Sequence, residues 1–363
     1  MKKCSSPNNP DPRSILVVLP TWVGDFVMAT PTLRAIRTRF PNARIALLAE
    51  PNLRDLICGG DWMDECFEWP RVGRRKPWHL EYRTLARELR GRRLDWAVLL
   101  PNSFRAALIA RLGGARRRIG YNRDRRGFLL TDGLEPANHV DGRFAPVPLV
   151  EYYADLAEAI GCDRPQDTFE LFTTPREDQT VEKLLKSPEQ RPGGPLVVIS
   201  PGARYGAAKC WAPERFAAVA DRLVEESGAV VVVTCGPGEE HLARAIAAAA
   251  ERPLRVFDDP RLTLGELKSL IKRCDLLICN DTGPRHFAKA FNVPVVTVFG
   301  PTHPQWTATS YRAERIVRIE VDCGPCQAKV CPLGHVKCMT GVTPEAVYEA
   351  ATDLLASSVL RGA

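Results

Sequence analysis

Short apolar runs alternate with stretches of helical periodicity along most of the chain. Residues 15–19 (ILVVL) form a continuous apolar run closed by Pro20, the pattern of a strand buried on both faces of a parallel sheet. A TWVGD loop leads from it into residues 26–40, whose apolar positions recur at helical spacing. Residues 44–49 (RIALLA) predict a second strand, 52–58 a short helix, and 96–100 (WAVLL) a third strand. A helix over 103–112 follows, stopped by Gly113 and Gly114. The alternation pauses over 174–195, a polar stretch with a short helical patch and a PGGP break, where the domain linker is expected. It then resumes. Strands are predicted at 196–200, 229–234, 275–279 and 295–299, with helices at 213–226, 239–250, 264–272 and 284–291 between them. A last helix runs from Thr343, its N-cap, with Pro344 at the first helical position, to about residue 360. Strands alternating with helices imply two doubly wound α/β domains, 15–180 and 195–342, after a polar tail over 1–14 and before a C-terminal helix over 343–361. Tandem domains of this kind place ligands in a cleft at the carboxyl ends of their sheets.

Composition narrows the class. The 363 residues are 45% hydrophobic and 26% charged, which suits a globular protein and excludes a largely disordered chain or a small disulfide scaffold. No run approaches the roughly 20 apolar residues needed to span a bilayer. The polar start, MKKCSSPNNPDPRS, lacks the apolar core of a signal peptide. Most of the 12 Cys sit singly in apolar stretches, as in Cys235, Cys274 and Cys279, which predicts a reducing, cytoplasmic setting. No G-x-G-x-x-G follows any strand, which argues against a dinucleotide cofactor; none of any kind is expected.

The strand-end loops carry the candidate chemistry. Asp25, after Gly24 in the first loop, is either a helix-capping carboxylate or a general base able to take a proton from an acceptor hydroxyl. The loop after 196–200, PGARYGAAKCWAP, offers Gly202 for close backbone approach and the cations Arg204 and Lys209 for phosphate. In the CGPGEE turn a carboxylate, Glu239 in preference to Glu240, can bind ribose hydroxyls or complement a helix dipole. The NDTGPRH turn is the strongest local signal. Thr282 and Gly283 precede Pro284 at a helix start, an anion cradle suited to a diphosphate; Asp281 would face sugar hydroxyls and His286 the cleft floor, the plainer reading being an N-cap Asp or Thr with a buried His286. The FGPTHP loop at 299–304 would complete the pocket.

Taken together, WVGDxV, PGAxYGxAKxW, NDTGPRH and FGPTxP resemble the ADP-heptose:lipopolysaccharide heptosyltransferases, glycosyltransferase family 9, in consistent order from about residue 15 to 350. The late CGPCQAKVCPLGHxxC stretch is most similar to the heptosyltransferase II branch, which adds the second inner-core heptose. The resemblance implies a GT-B fold and an inverting, metal-independent transfer from ADP-heptose to an anionic lipopolysaccharide core acceptor. It places the family's base on Asp25, its phosphate-binding lysine on Lys209, and its donor loop on Asp281, Thr282 and Gly283. Cys210 stands where many members carry Arg, and Phe26-Val27 replaces a more usual Met-Val. No Asp-x-Asp occurs, in keeping with a reaction that neutralises its leaving diphosphate without a divalent cation. The readings set against it are a transferase of the same family with another acceptor or sugar nucleotide, and a non-catalytic nucleic-acid or lipid-binding protein.

Two features lie outside these loops. Cys323, Cys326, Cys331 and Cys338, with His335 among them, are dense enough to raise a structural zinc, but their spacing departs from paired knuckles and free or disulfide-prone thiols are the expectation. The formal net charge of +7 is unevenly distributed: residues 71–126 contain 17 Lys/Arg and 4 Asp/Glu. Nucleic acid is the generic partner for such a segment, yet no recognition motif accompanies it and none is expected to bind. The transferase reading assigns it to the anionic acceptor and to peripheral contact with the inner membrane surface.

Overall fold

The computed structural model describes residues 10–70, 78–136, 139–140, 143–186 and 194–359. The start of the polar tail, the RVGRRK run and the PGGP approach at 187–193 lie outside them. The chain divides into two compact units. The first runs to Phe169 and includes Gln305–Thr309; the second comprises Glu170–Pro304 and the residues from Ser310 onward.

In the first unit β1 (Ser14–Val18), β2 (Arg44–Ala49), β3 (Glu65–Glu68), β4 (Trp96–Leu99), β5 (Arg117–Tyr121) and β6 (Asp132–Leu134) form one parallel sheet of order β3-β2-β1-β4-β5-β6. Helices α1 (Val23–Arg39), α2 (Arg54–Ile57), α3 (Trp78–Gly91), α4 (Phe104–Leu112) and α5 (Leu149–Ala159) accompany it, with a small ribbon of β7 (His139–Val140) and β8 (Arg143–Phe144). All five β1 residues are buried, as a continuous apolar run between two helical layers requires. Strands β3 (ECFE), β5 (RRIGY) and β6 (DGL) carry no continuous apolar run, which is why the apolar pattern did not reveal them. Helix α1 contains Pro31, which cannot donate to the carbonyl of Val27; the Thr30 hydroxyl donates to that oxygen instead, at 2.7 Å.

The second unit repeats the plan. Strands β9 (Leu196–Ser200), β10 (Val230–Thr234), β11 (Arg255–Phe257), β12 (Leu276–Asn280), β13 (Val295–Val298) and β14 (Glu314–Val317) are ordered β11-β10-β9-β12-β13-β14, all parallel. Around them lie α6 (Pro175–Leu185), α7 (Pro213–Ser227), α8 (Glu240–Ala249), α9 (Leu264–Arg273), α10 (Gly283–Ala290), α11 (Lys337–Thr340) and α12 (Pro344–Val359). Thr343 caps α12, accepting from the Ala346 amide at 3.3 Å, and the helix packs on α7 and the sheet.

The expected linker and the first-domain boundary at 180 need correction. Residues 175–185 are helix α6, opened by a Thr174–Glu177 capping box, and belong to the second unit. Asp178 of α6 pairs with Arg273 of α9 at 2.8 Å and accepts from Ser269 at 2.7 Å. Polar composition signalled a linker because this helix buries only Val181 and is held to its neighbour through charges.

Candidate active site

In an open parallel sheet, ligands bind beyond the carboxyl ends of strands whose connections diverge. Strands β9 and β12 are such a pair: they are neighbours, with Ser200 opposite Cys279, while the chain leaves them in opposite directions along the sheet. Their exit loops carry Lys209 and Asp281, 72 residues apart, and the sheet brings them together. Lys209 Nζ donates to Asp281 Oδ2 at 2.5 Å and to its carbonyl oxygen at 3.3 Å. Asp281 also accepts from Arg285 Nη1 at 3.0 Å and from the Thr302 hydroxyl at 2.7 Å. Burial by itself would raise the Asp281 carboxyl; the charges of Arg285 and Lys209 outweigh it and hold it below the ordinary value.

Behind Asp281 lies a second tier. Glu314 of β14 accepts from Arg285 Nε at 2.9 Å and from the Thr297 hydroxyl at 3.0 Å, and pairs with Lys289 at 2.8 Å. Burial and the neighbouring Arg285 lower Lys289 to about 8 although Glu314 pulls the other way. His286, expected to face a ligand, is 3% exposed, and burial followed by the charges of Arg285, Lys289 and Lys209 holds it well below its ordinary value. It is a neutral histidine inside the protein, as the plainer of the two readings of this turn had it. Unfolding frees it to protonate, so the unfolded chain binds more protons below pH about 6.5 and stability falls as the pH drops. We expect an acid-side loss approaching about 1.4 kcal/mol per pH unit from this group. Urea titrations from pH 7 to 5 should show it, with a shallower slope in His286→Gln.

The reading of Asp281 needs correction. Its carboxylate, expected to face sugar hydroxyls, is satisfied from within by Lys209, Arg285 and Thr302. The Thr282 and Gly283 amides stand at the first turn of α10, where no carbonyl of the same helix can accept from them. Arg204 is exposed on the loop after β9.

Glu239 and Gly202 are brought together. The Glu239 carboxylate accepts from the Gly236 amide at 3.0 Å and lies so close to Gly202 that a Cβ there would be 1.8 Å from Oε2. Glu240 points elsewhere, paired with Arg261 at 3.2 Å. Gly202→Ala should displace the carboxylate and raise the donor KM with kcat little changed. A cycle with Glu239→Ala should give coupling of about 0.5–3 kcal/mol; strict additivity would separate the two residues.

Several site residues went unassigned in the sequence. Arg285 and Thr302 lay inside recognised motifs, and Asn280, which donates to the Pro201 carbonyl at 2.5 Å and accepts from the Trp211 amide at 3.2 Å, ties the two loops together. Glu314 carried no local signal. The cysteine-rich segment also contributes: Tyr205 donates to the Gln327 carbonyl at 2.6 Å, and Ala208 to that of Lys329 at 3.1 Å, so this segment braces the lysine-bearing loop. Cys323, Cys326, Cys331 and Cys338 are free thiols, and among the described residues no three His, Cys, Asp or Glu side chains are grouped to hold a metal ion.

In the first unit Asp25 follows β1. Helix α1 begins three residues earlier than predicted, which puts Asp25 in its first turn, half-buried. Trp22 precedes the helix with no side-chain cap bond, and Asp25 itself complements the positive helix end. Its charge reaches the Tyr153 hydroxyl of α5, which burial first and Asp25 second push well above the usual value. At the ends of β4 and β5, Arg126 is fully buried among carbonyls: it donates to Tyr121 O at 3.1 Å, Ser103 O at 3.3 Å, Pro101 O, and Asn102 Oδ1 at 3.3 Å. Burial lowers it to about 10, against the pull of Tyr152 and Asp124. Arg123 lies beside it, stacked on Phe144 at 3.5 Å. Other arginines of the basic segment are neutralised locally, including Arg92 by Glu65, Arg105 by Glu50 and Arg117 by Asp132.

Two parallel six-stranded units of the same strand order, with polar groups gathered at their carboxyl edges, define a glycosyltransferase of the GT-B class. The model of glycosyltransferase family 9 (heptosyltransferase) matches residues 82–337, and the chain belongs to that family. It is 30% identical to lipopolysaccharide heptosyltransferase 2 of Escherichia coli K12 over 355 residues, covering 94% of this chain and 98% of that protein. It is 27% identical to lipooligosaccharide heptosyltransferase 2 of Haemophilus influenzae over 357 residues, covering 94% and 99%. The solved ADP-heptose lipopolysaccharide heptosyltransferase II of E. coli superimposes with a TM-score of 0.78 at 26% identity, covering 95% of this chain and 99% of that one. A family 9 glycosyltransferase of Veillonella parvula shares the fold, with a TM-score of 0.81 at 22% identity and coverage of 95% and 97%.

Proposed function

We propose that this enzyme transfers L-glycero-D-manno-heptose from ADP-heptose to the first heptose of the lipopolysaccharide inner core, inverting the anomeric centre. The observation that carries the reading is the buried Lys209–Asp281–Arg285 cluster at the diverging strands β9 and β12, beside the start of α10. Two of the three ammonium protons of Lys209 are spent on Asp281, which aims the third. A diphosphate oxygen is a fitting acceptor for it, with the Thr282 and Gly283 amides as further donors. In the first unit Asp25 takes the proton of the acceptor hydroxyl. That oxygen bonds to the anomeric carbon as the carbon–oxygen bond to ADP breaks, and the charge left on ADP is met by Lys209 and the helix start. Glu239, held against Gly202, is the candidate for the donor ribose. Arg123, beside the buried Arg126, is suited to an acidic group of the acceptor.

Among the described residues no helix is long and apolar enough to cross a membrane. The acceptor is a lipid-anchored glycan, and we place the enzyme in the cytoplasm with peripheral contact at the inner membrane. Turnover is the test. ADP release from ADP-heptose should require an acceptor that already bears one heptose; equal turnover on a heptose-free acceptor would move the enzyme to another step of the same family. Salt-sensitive RNA binding without any transfer would favour a non-catalytic protein.

A further inference from the structure

Helix α4 (FRAALIARL) is apolar nearly all round. Ala106, Ala107, Ile109 and Ala110 are buried in the core of the first unit. The opposite face carries Phe104, Leu108 and Leu112, spaced four apart and therefore aligned along the helix. They are 44%, 37% and 39% exposed. Phe128, on the turn after β5, extends the stripe: it is 71% exposed, and its ring centroid is 6.1 Å from that of Phe104. A surface helix ordinarily presents polar residues to water. A contiguous apolar stripe on an otherwise polar surface marks a contact with something apolar.

The flanking charge says what kind. Arg111 is exposed on the same helix, and no carboxylate pairs with it among the described residues. It lies near enough to Arg118 that, after burial, its charge is the next cause lowering that guanidinium. Asp132, the acid beside them, is already held by Arg117 at 2.8 Å. Apolar side chains rimmed by cations suit a surface that offers hydrocarbon beneath anionic headgroups. The stripe starts at the β4–α4 junction, the carboxyl edge of the sheet, which is also the edge from which Asp25 projects.

We propose that Phe104, Leu108, Leu112 and Phe128, with Arg111 and Arg118, form the face on which this enzyme docks on an anionic lipid bilayer. The proposal rests on the glycolipid-acceptor reading above and gives it a site. An acceptor anchored in that bilayer would then meet the first unit at the edge where its base stands. Aromatic rings enter the interface between headgroups and acyl chains, and the arginines meet lipid phosphates.

Sedimentation with vesicles tests it, using the full-length protein. Wild type should bind vesicles of phosphatidylcholine mixed with phosphatidylglycerol and bind pure phosphatidylcholine poorly, with added salt weakening the first. Phe104→Ser/Phe128→Ser should reduce partitioning about tenfold or more. Arg111→Glu, which leaves the apolar stripe intact, should reduce it about fivefold or more. Both should turn over a short-chain, detergent-free acceptor as wild type does. Partitioning unchanged in both variants, or equal binding to neutral and anionic vesicles, overturns the proposal. So does a wild-type dimer in sedimentation velocity that the double variant abolishes, since that assigns the stripe to a second copy. Failure of wild type to use the soluble acceptor would count against the transferase reading and leave the vesicle result standing.

Discussion

Asp25→Asn is expected to lower kcat about 10²- to 10⁴-fold, the range a positioned general base supplies. The KM for ADP-heptose should hardly change, because the groups proposed to bind the donor lie on the loops of the second unit. The substitution is nearly isosteric. Asn keeps the packing in the first turn of α1 and the contact region of Tyr153, and loses the charge that complements the helix start. That loss costs about 0.3–1 kcal/mol of stability, too little to unfold the domain. A kinetic defect in a protein with wild-type urea resistance is therefore the expected pair of results. Wild-type turnover in a folded Asp25→Asn enzyme would sink the base assignment and return Asp25 to a capping role.

The second large effect is thermodynamic. Asp281→Ala should cost about 3–5 kcal/mol, because it leaves Lys209 and Arg285 buried without their shared carboxylate. Arg285 retains Glu314; among the described residues Lys209 pairs with no second carboxylate. Denaturation in urea gives the number. Adding Lys209→Met to Asp281→Ala should recover part of the loss, since the orphaned ammonium is then gone. If Asp281→Ala unfolds at the wild-type midpoint, the cluster is not a stabilising unit. The pH dependence follows from the lowered folded value of Asp281. Its contribution is complete above the unfolded value near 3.8 and disappears as the pH falls through the lower folded value. The His286 contribution is lost higher up, below about 6.5, so the two groups act in separate acid windows. Donor binding should fail with Asp281→Ala as well, because Lys209 loses the anchor that aims it.

Strands β1, β2, β4, β9, β10, β12 and β13 and the motif-bearing loops were readable in the chain; the interior strand β5 was not. Residues 196–200 were predicted as a strand and are β9; 103–112 were predicted as a helix, and α4 runs from Phe104 with Ser103 as its cap, accepting from Ala106 at 3.3 Å. These elements announce themselves locally, through continuous apolar runs and through Gly, Pro and capping residues at their ends. Edge strands did not. Strand β14 reads ERIV, and its first residue, Glu314, is a buried acid that only Arg285, Lys289 and Thr297 explain. Helix α6 was read as a helical patch within a linker, and its place in the second unit was not legible because its attachment is ionic. Arg126 was one of 17 cations in a basic segment, and nothing in the sequence separates the one turned inward from those paired at the surface.

Lys209 and Asp281 show the limit most clearly. Each was singled out from its own loop, as a phosphate donor and a sugar-facing carboxylate. Their meeting depends on the adjacency of β9 and β12, which is a property of the sheet order. The sequence by itself determined the two α/β units, the family motifs and the loops on which the chemistry sits, because periodicity, turn residues and caps act over a few residues. The tertiary structure alone decided which charges neutralise one another, that the cations around His286 hold it neutral, and which face of α4 stays bare. Those outcomes depend on distance and on exclusion of water, and neither is written in the spacing of residues along the chain.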